Sequence, residues 1–147
     1  MNINEEKGDL FKLDEKYVLA HCISLDCKLG MGIALEFDKR FKGMKKWLLS
    51  LVVANEYNYP ITIPAYKDKE LKVFNLITKE KYWHKPTYQA IRSCINQMAD
   101  YCKRHNVKHL GMPKIGCGLD KLQWGEVKKI IEEEFKDIDI NIEIRYL

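Results

Sequence analysis

The apolar residues of this chain change their spacing as the sequence is read, and that alternation limits the fold more than any other feature. "YVLAHCIS" (Tyr17–Ser24) is a short continuous apolar run, the pattern of a buried strand. "GIALEFDKRF" then puts Ile33, Ala34, Phe37 and Phe41 on one helical face, and "GMKKWLLSLVV" reads as a second, short helix. "ITIPAY" and "LKVFNLIT" are rich in branched and aromatic residues and read as strands. Just after Pro86, "TYQAIRSCINQMADYCKRHN" brings Tyr88, Ile91, Ile95, Met98 and Cys102 onto one helical face. "VKHLGMP" returns to strand, and "WGEVKKIIEEEF" places Trp124, Val127, Ile131 and Phe135 on one stripe. The end, "DIDINIEIRYL", alternates: Ile138, Ile140, Ile142, Ile144 and Tyr146 face one way, which predicts a one-sided strand near a sheet edge. Strands and helices in this order predict an α/β sheet covered on both faces. Ligands of such sheets bind beyond the carboxyl ends of the strands, where glycine loops lead into helices.

Length and composition agree. With 147 residues, 46% of them hydrophobic, the chain is expected to form one domain with a real core. No run approaches the ~20 apolar residues of a membrane helix. "MNINEEKGDL" does not read as a signal peptide, so a cytoplasmic location is expected. The odd count of five cysteines, with no C-x-x-C pair, argues against both a disulfide framework and a zinc site. The formal charge of +4 is mild. It suits a phosphate-bearing ligand or weak nucleic-acid contact, and it is not the footprint of a dedicated DNA binder. The basic cluster "FDKRFKGMKK" (Phe37–Lys46) is either a solvated helix face or a nucleic-acid contact.

Two glycine loops follow strands: "CKLGMGIA", with Gly30 and Gly32 opening a helix, and "IGCGLD", with Gly116 and Gly118. Glycine permits positive φ and lets backbone N–H groups approach an anion. Neither loop matches G-x-G-x-x-G or Walker A, and either alone is an ordinary turn signal; together they suit a diphosphate. Cys117 between the glycines is a nucleophile only with a base or a positive field beside it; otherwise it is a small side chain on a backbone-binding turn. Lys79, closing "FNLITK" at the carboxyl end of a strand, is either the first solvated residue of a loop or an amine poised to attack a carbonyl carbon. Asp120 is either an acid–base group or a helix cap ahead of "KLQW". Asp9 is either part of a Gly-Asp turn or an acceptor for a ligand amino group.

"GDLF" (Gly8–Phe11), "LAHCIS" (Leu19–Ser24), "GMGIA" (Gly30–Ala34), "LITK" (Leu76–Lys79), "HKPTY" (His84–Tyr88) and "MPKIGCGLDKLQW" (Met112–Trp124) run collinearly along nearly the whole chain. Taken together they resemble the macrodomain family, and within it the terminal ADP-ribose protein glycohydrolase branch. The pairing of "LITK" with "IGCGLD" is the specific part. The resemblance implies a three-layer α/β/α sandwich with a mixed central sheet, a single macrodomain over residues 1–147. It implies ADP-ribose as ligand, with Asp9 and Leu10 at the adenine. Ser24 and the loop Gly30, Met31, Gly32 and Ile33 would line the ribose and diphosphate. Gly116, Cys117, Gly118 and Leu119 would form the second phosphate-side loop, with Thr78, Pro113 and Ile115 alongside. Lys79 would attack C1″ of the distal ribose and Asp120 would shuttle the proton.

The activity implied is removal of mono-ADP-ribose from acidic side chains, or from O-acyl-ADP-ribose, by a monomer needing neither cofactor nor metal. Its partners would be ADP-ribose and mono-ADP-ribosylated protein or nucleic acid, with no membrane. The alternatives are a glycohydrolase acting on a DNA base, an ADP-ribose 1″-phosphate phosphatase, and a module that binds ADP-ribose without turnover. Two departures stand out: Met31 in the middle of the first loop, and an N-terminus so short that the first strand is expected to be minimal.

Overall fold

The computed structural model describes residues 1–30 and 32–147. Within these residues six strands form one sheet: β1 (Asn2–Lys7), β2 (Val18–Ser24), β3 (Ile61–Lys67), β4 (Glu70–Lys79), β5 (His109–Met112) and β6 (Asn141–Tyr146). Among the same residues four helices connect them: α1 (Gly32–Arg40), α2 (Met44–Asn55), α3 (Tyr88–Arg104) and α4 (Trp124–Phe135), with a short 3-10 turn at Leu10–Lys12. The strand order is β1-β6-β5-β2-β4-β3. Among the described residues only β3 runs antiparallel, paired to β4, so the sheet is mixed as expected.

The two faces of the sheet carry separate cores because successive strand residues point to opposite sides. Along β4, Phe74 and Leu76 pack with Ile91, Ile95 and Met98 of α3 and with Val127 and Ile131 of α4. Val73 and Ile77 pack instead with Phe37 of α1 and with Met44, Leu48 and Val52 of α2. This is the three-layer sandwich, and it turns the carboxyl ends of β1, β6, β5, β2 and β4 toward one rim.

Two details, at β1 and at Tyr88, differ from the sequence expectations, while β6 is the one-sided strand near an edge that its alternation predicts. β1 is a full strand of six residues, paired in parallel to β6 from Asn2↔Asn141 to Lys7↔Tyr146. It holds its place by ladder hydrogen bonds and the half-buried Ile3, whereas charged side chains suit its exposed position at the edge. As a result β6 lies one strand in from the edge, between β1 and β5. Tyr88 is not on the buried face of α3: it is exposed at the helix start, and its hydroxyl accepts a hydrogen bond from Gln123 N at 3.0 Å.

One polar pair is sealed inside. His21 on β2, fully buried, donates from Nε2 to Asn75 Oδ1 on β4 at 2.7 Å and stacks on the Phe37 ring at 3.9 Å. Asn75 Nδ2 in turn donates to Ile63 O of β3 at 3.2 Å. Burial lowers the His21 pKa to about 4, so the ring is neutral.

Candidate active site

β4 ends in an irregularity that sets the direction of its last side chain. Ile23 pairs with Ile77 but Ser24 pairs with Lys79, leaving Thr78 as the extra residue of a bulge. A bulge bends its strand and re-aims the side chains around it. Past it, Lys79 Nζ lies 2.5 Å from Asp120 Oδ1, and the two side chains are only 12% and 14% exposed. Asp120 comes from the loop between β5 and α4, 41 positions further along the chain. It does not cap α4, whose N-cap residue is Gln123. The ion pair is therefore the contact the fold builds between the ends of two strands.

The loop that carries Asp120 is tightly made. Leu122 N donates to Gly116 O at 2.8 Å, Cys117 N to Lys114 O at 3.2 Å and Lys121 N to Gly118 O at 3.2 Å. Gly116 has φ +73°, and a Cβ there would meet Leu122 Cδ1 at 3.1 Å and Ile91 Cδ1 at 3.3 Å. Glycine is required on both counts. Among the described residues, the N–H groups of Gly118, Leu119 and Asp120 are not used by the hydrogen bonds of this loop. The two glycine loops meet: a Cβ on Gly32, φ +59°, would lie 3.6 Å from Leu119 Cδ1.

The loop leading to the first glycines is tied to the segment after Lys79. Leu25 N donates to Lys79 O at 2.8 Å and Asp26 N to Glu80 O at 3.3 Å. The Asp26 carboxylate accepts from the Ser24 hydroxyl, from Lys28 N at 3.3 Å and from Tyr82 N at 3.2 Å. Asp26, Tyr82 and Tyr88 position this site, and sequence reasoning did not single them out as such. Their partners lie 56 or 35 residues away, so no local pattern announces them.

Several expected residues fall at this rim, and others lend only backbone. Ser24 ends β2 nearly buried, and Thr78 is fully buried with its hydroxyl unpartnered among the described residues. Gly30 has open space on the side where a Cβ would stand, and Ile33 is half-buried against the α1–α2 core. Leu10 and Ile115 are core side chains, so at a ligand they have only main chain to offer. Asp9 spends Oδ1 on Phe11 N at 3.0 Å, capping the 3-10 turn. Pro113 follows β5 and accepts from Ile115 N at 2.8 Å. Met31 lies outside the described residues. Asp9 leads into the 3-10 turn, whose Leu10 packs over Gly111 of β5, while Lys79 ends β4, two strands further across the sheet.

The cysteine between the glycines is not activated. Cys117 donates through Sγ to Ile115 O at 3.3 Å, and burial pushes its pKa up to about 11. Cys22, near enough to feel both Lys79 and Asp120, is raised well above its ordinary value by burial as well. Among the described residues, no group of three or more metal-ligating side chains converges here or elsewhere.

The macro domain pattern matches residues 60–131. The chain is 41% identical over 138 residues to ADP-ribose glycohydrolase OARD1 of Bos taurus, covering 94% of this chain and 87% of that protein. Identity to its Homo sapiens counterpart has the same value and extent. The chain belongs to the macro domain family. Its fold superimposes on the macrodomain of Mycobacterium tuberculosis DarG with a TM-score of 0.88 at 19% identity, covering 99% of this chain and 97% of that one. For Thermosipho africanus DarTG in complex with ADP-ribose the TM-score is 0.82 at 18% identity, over 99% of this chain and 42% of the other.

Proposed function

We propose that this protein is an ADP-ribose glycohydrolase that frees mono-ADP-ribose from carboxylate esters, on acidic side chains or in O-acyl-ADP-ribose. The observation that carries the reading is the Lys79–Asp120 pair at 2.5 Å, nearly out of solvent, at the meeting of two glycine loops. The relatives of 41% identity named ADP-ribose glycohydrolase support the reaction class, and the ADP-ribose held by the DarTG protein supports the ligand. The uncommitted N–H groups of Gly118, Leu119 and Asp120 suit a diphosphate. The rim from Asp9 to Lys79 suits an elongated ligand.

The chemistry follows from the pair. Asp120 takes a proton from Lys79, and the neutral amine attacks C1″. A bond forms between Nζ and C1″ while the bond from C1″ to the ester oxygen breaks, and the carboxylate leaves with the electron pair. Water then adds at C1″ and sheds one proton to the solvent, the bond to Nζ breaks with its electron pair returning to the amine, and Asp120 gives back to that amine the proton it took. Splitting one displacement into two is the advantage of a covalent step. The five free cysteines fit a reducing compartment and support a cytoplasmic setting.

The test is release of ADP-ribose from a glutamate-linked ADP-ribosyl peptide, together with borohydride trapping followed by intact-protein mass measurement. The wild type should release ADP-ribose and trap one adduct on Lys79. Lys79→Ala should do neither while still binding ADP-ribose. Full turnover by Lys79→Ala would overturn the lysine route.

A further inference from the structure

The basic run ending at Lys46 takes no part in the site above. Lys39 and Arg40 end α1, Gly43 turns the chain with φ 88°, and α2 begins at Met44. This corner packs beside the β3–β4 hairpin, and between them lies a cavity of about 440 Å³ whose walls include Lys42, Trp47, Lys67 and Lys72. The hairpin is at the amino end of β4 and Lys79 at its carboxyl end, seven residues on from Lys72. At ~3.3 Å per residue the two places are about 20 Å apart.

The chain's positive excess is concentrated here. Residues 39–46 hold five basic and no acidic side chains, and residues 67–72 hold three basic and two acidic. From totals of 25 and 21, that leaves 17 basic and 19 acidic for the rest of the chain, which is net negative. Lys72 is held by Glu70 at 3.0 Å, and Lys39 and Arg40 lie 3.8 and 3.9 Å from Glu36. Lys42 and Lys67 have no ion-pair partner among the described residues. Trp47 is 40% exposed although its α2 neighbours Met44 and Leu48 are buried, so an indole stands at the wall of a cationic recess.

We propose that this groove binds a segment of single-stranded nucleic acid, the lysines meeting phosphates and Trp47 offering a face for one base. Cations beside an aromatic platform are the combination that such strands require. An anionic bilayer calls for an indole that protrudes, and this one lines a concavity.

The test is fluorescence anisotropy with a labelled oligothymidylate of about 15 nucleotides at about 50 mM salt. Binding should weaken with salt with a log–log slope of about −2 to −3, as expected for three or four phosphate contacts. Trp47→Ala should weaken it about tenfold. The double variant Lys42→Glu with Lys67→Glu should weaken it further and flatten the slope, with ADP-ribosyl hydrolysis unchanged. Saturating ADP-ribose should not displace the strand. Any of four results would overturn the proposal: no binding at low salt, affinity indifferent to these substitutions, displacement by ADP-ribose or equally by thymidine monophosphate, or stronger capture by phosphatidylserine vesicles. The readout is binding, so it stands or falls apart from the hydrolase reading.

Discussion

Asp120 and Cys117 are three positions apart on one loop, and their surroundings give them opposite fates. Asp120 faces an amine at 2.5 Å, whereas Cys117 holds its proton and donates to a carbonyl. Asp120→Asn keeps the shape but accepts no proton, so kcat should fall by about 10²–10⁴-fold with ADP-ribose affinity within a few-fold. Single-turnover release of ADP-ribose would measure it. Cys117→Ser should leave kcat within about twofold, and thiol-alkylating reagents should inactivate the enzyme slowly at pH 7, because a thiol of pKa about 11 is almost wholly protonated there. The sequence alone left both residues with two readings. In the fold Asp120 pairs with Lys79 and caps no helix, and Cys117 donates to Ile115 O; neither contact is a local property of "IGCGLD".

Gly116 illustrates how much of the loop between β5 and α4 is set by one backbone dihedral. Gly116→Ala must hold a Cβ at φ +73° against Leu122 and Ile91, at a cost of about 1–2 kcal/mol. Thermal melts should show a drop of a few degrees, and calorimetry a weaker ADP-ribose titration, with the Lys79 amine still in place. Elements differed in how legible they were. α3 stood out because seventeen residues with a strong apolar stripe form a helix in almost any context, and Thr87 caps it by accepting from Ala90 N at 3.0 Å. β1 did not, because "NINEEK" has one apolar residue and owes its conformation to β6, a partner about 139 positions away. The positioning role of Asp26 was hidden for the same reason: an aspartate two residues after a strand looks like a turn until Tyr82 N is seen donating to it.

The molecule as a whole carries a titration set by its interior. His21 is neutral when folded, with a pKa of about 4, against an ordinary value of 6.5. Below pH 6.5 the unfolded chain binds a proton that the native protein refuses, so stability is full above that pH and is lost as pH falls to about 4. The loss from this one ring amounts to about 3 kcal/mol. Urea unfolding at pH 7 and at pH 4.5 should show that slope in the wild type, and a shallower one in His21→Gln.

The place of β6 between β1 and β5 has a further consequence, for the order in which the protein is made. The first six-residue strand must wait for the last one. At 5–20 residues per second, β1 stays without a neighbour for roughly 7–28 s during synthesis. Pairings of such long sequence separation fold slowly. A ribosome that stalls within α4 would release a chain with β1 loose and the β5 edge bare, open to other strands and a ready target for chaperones and proteases.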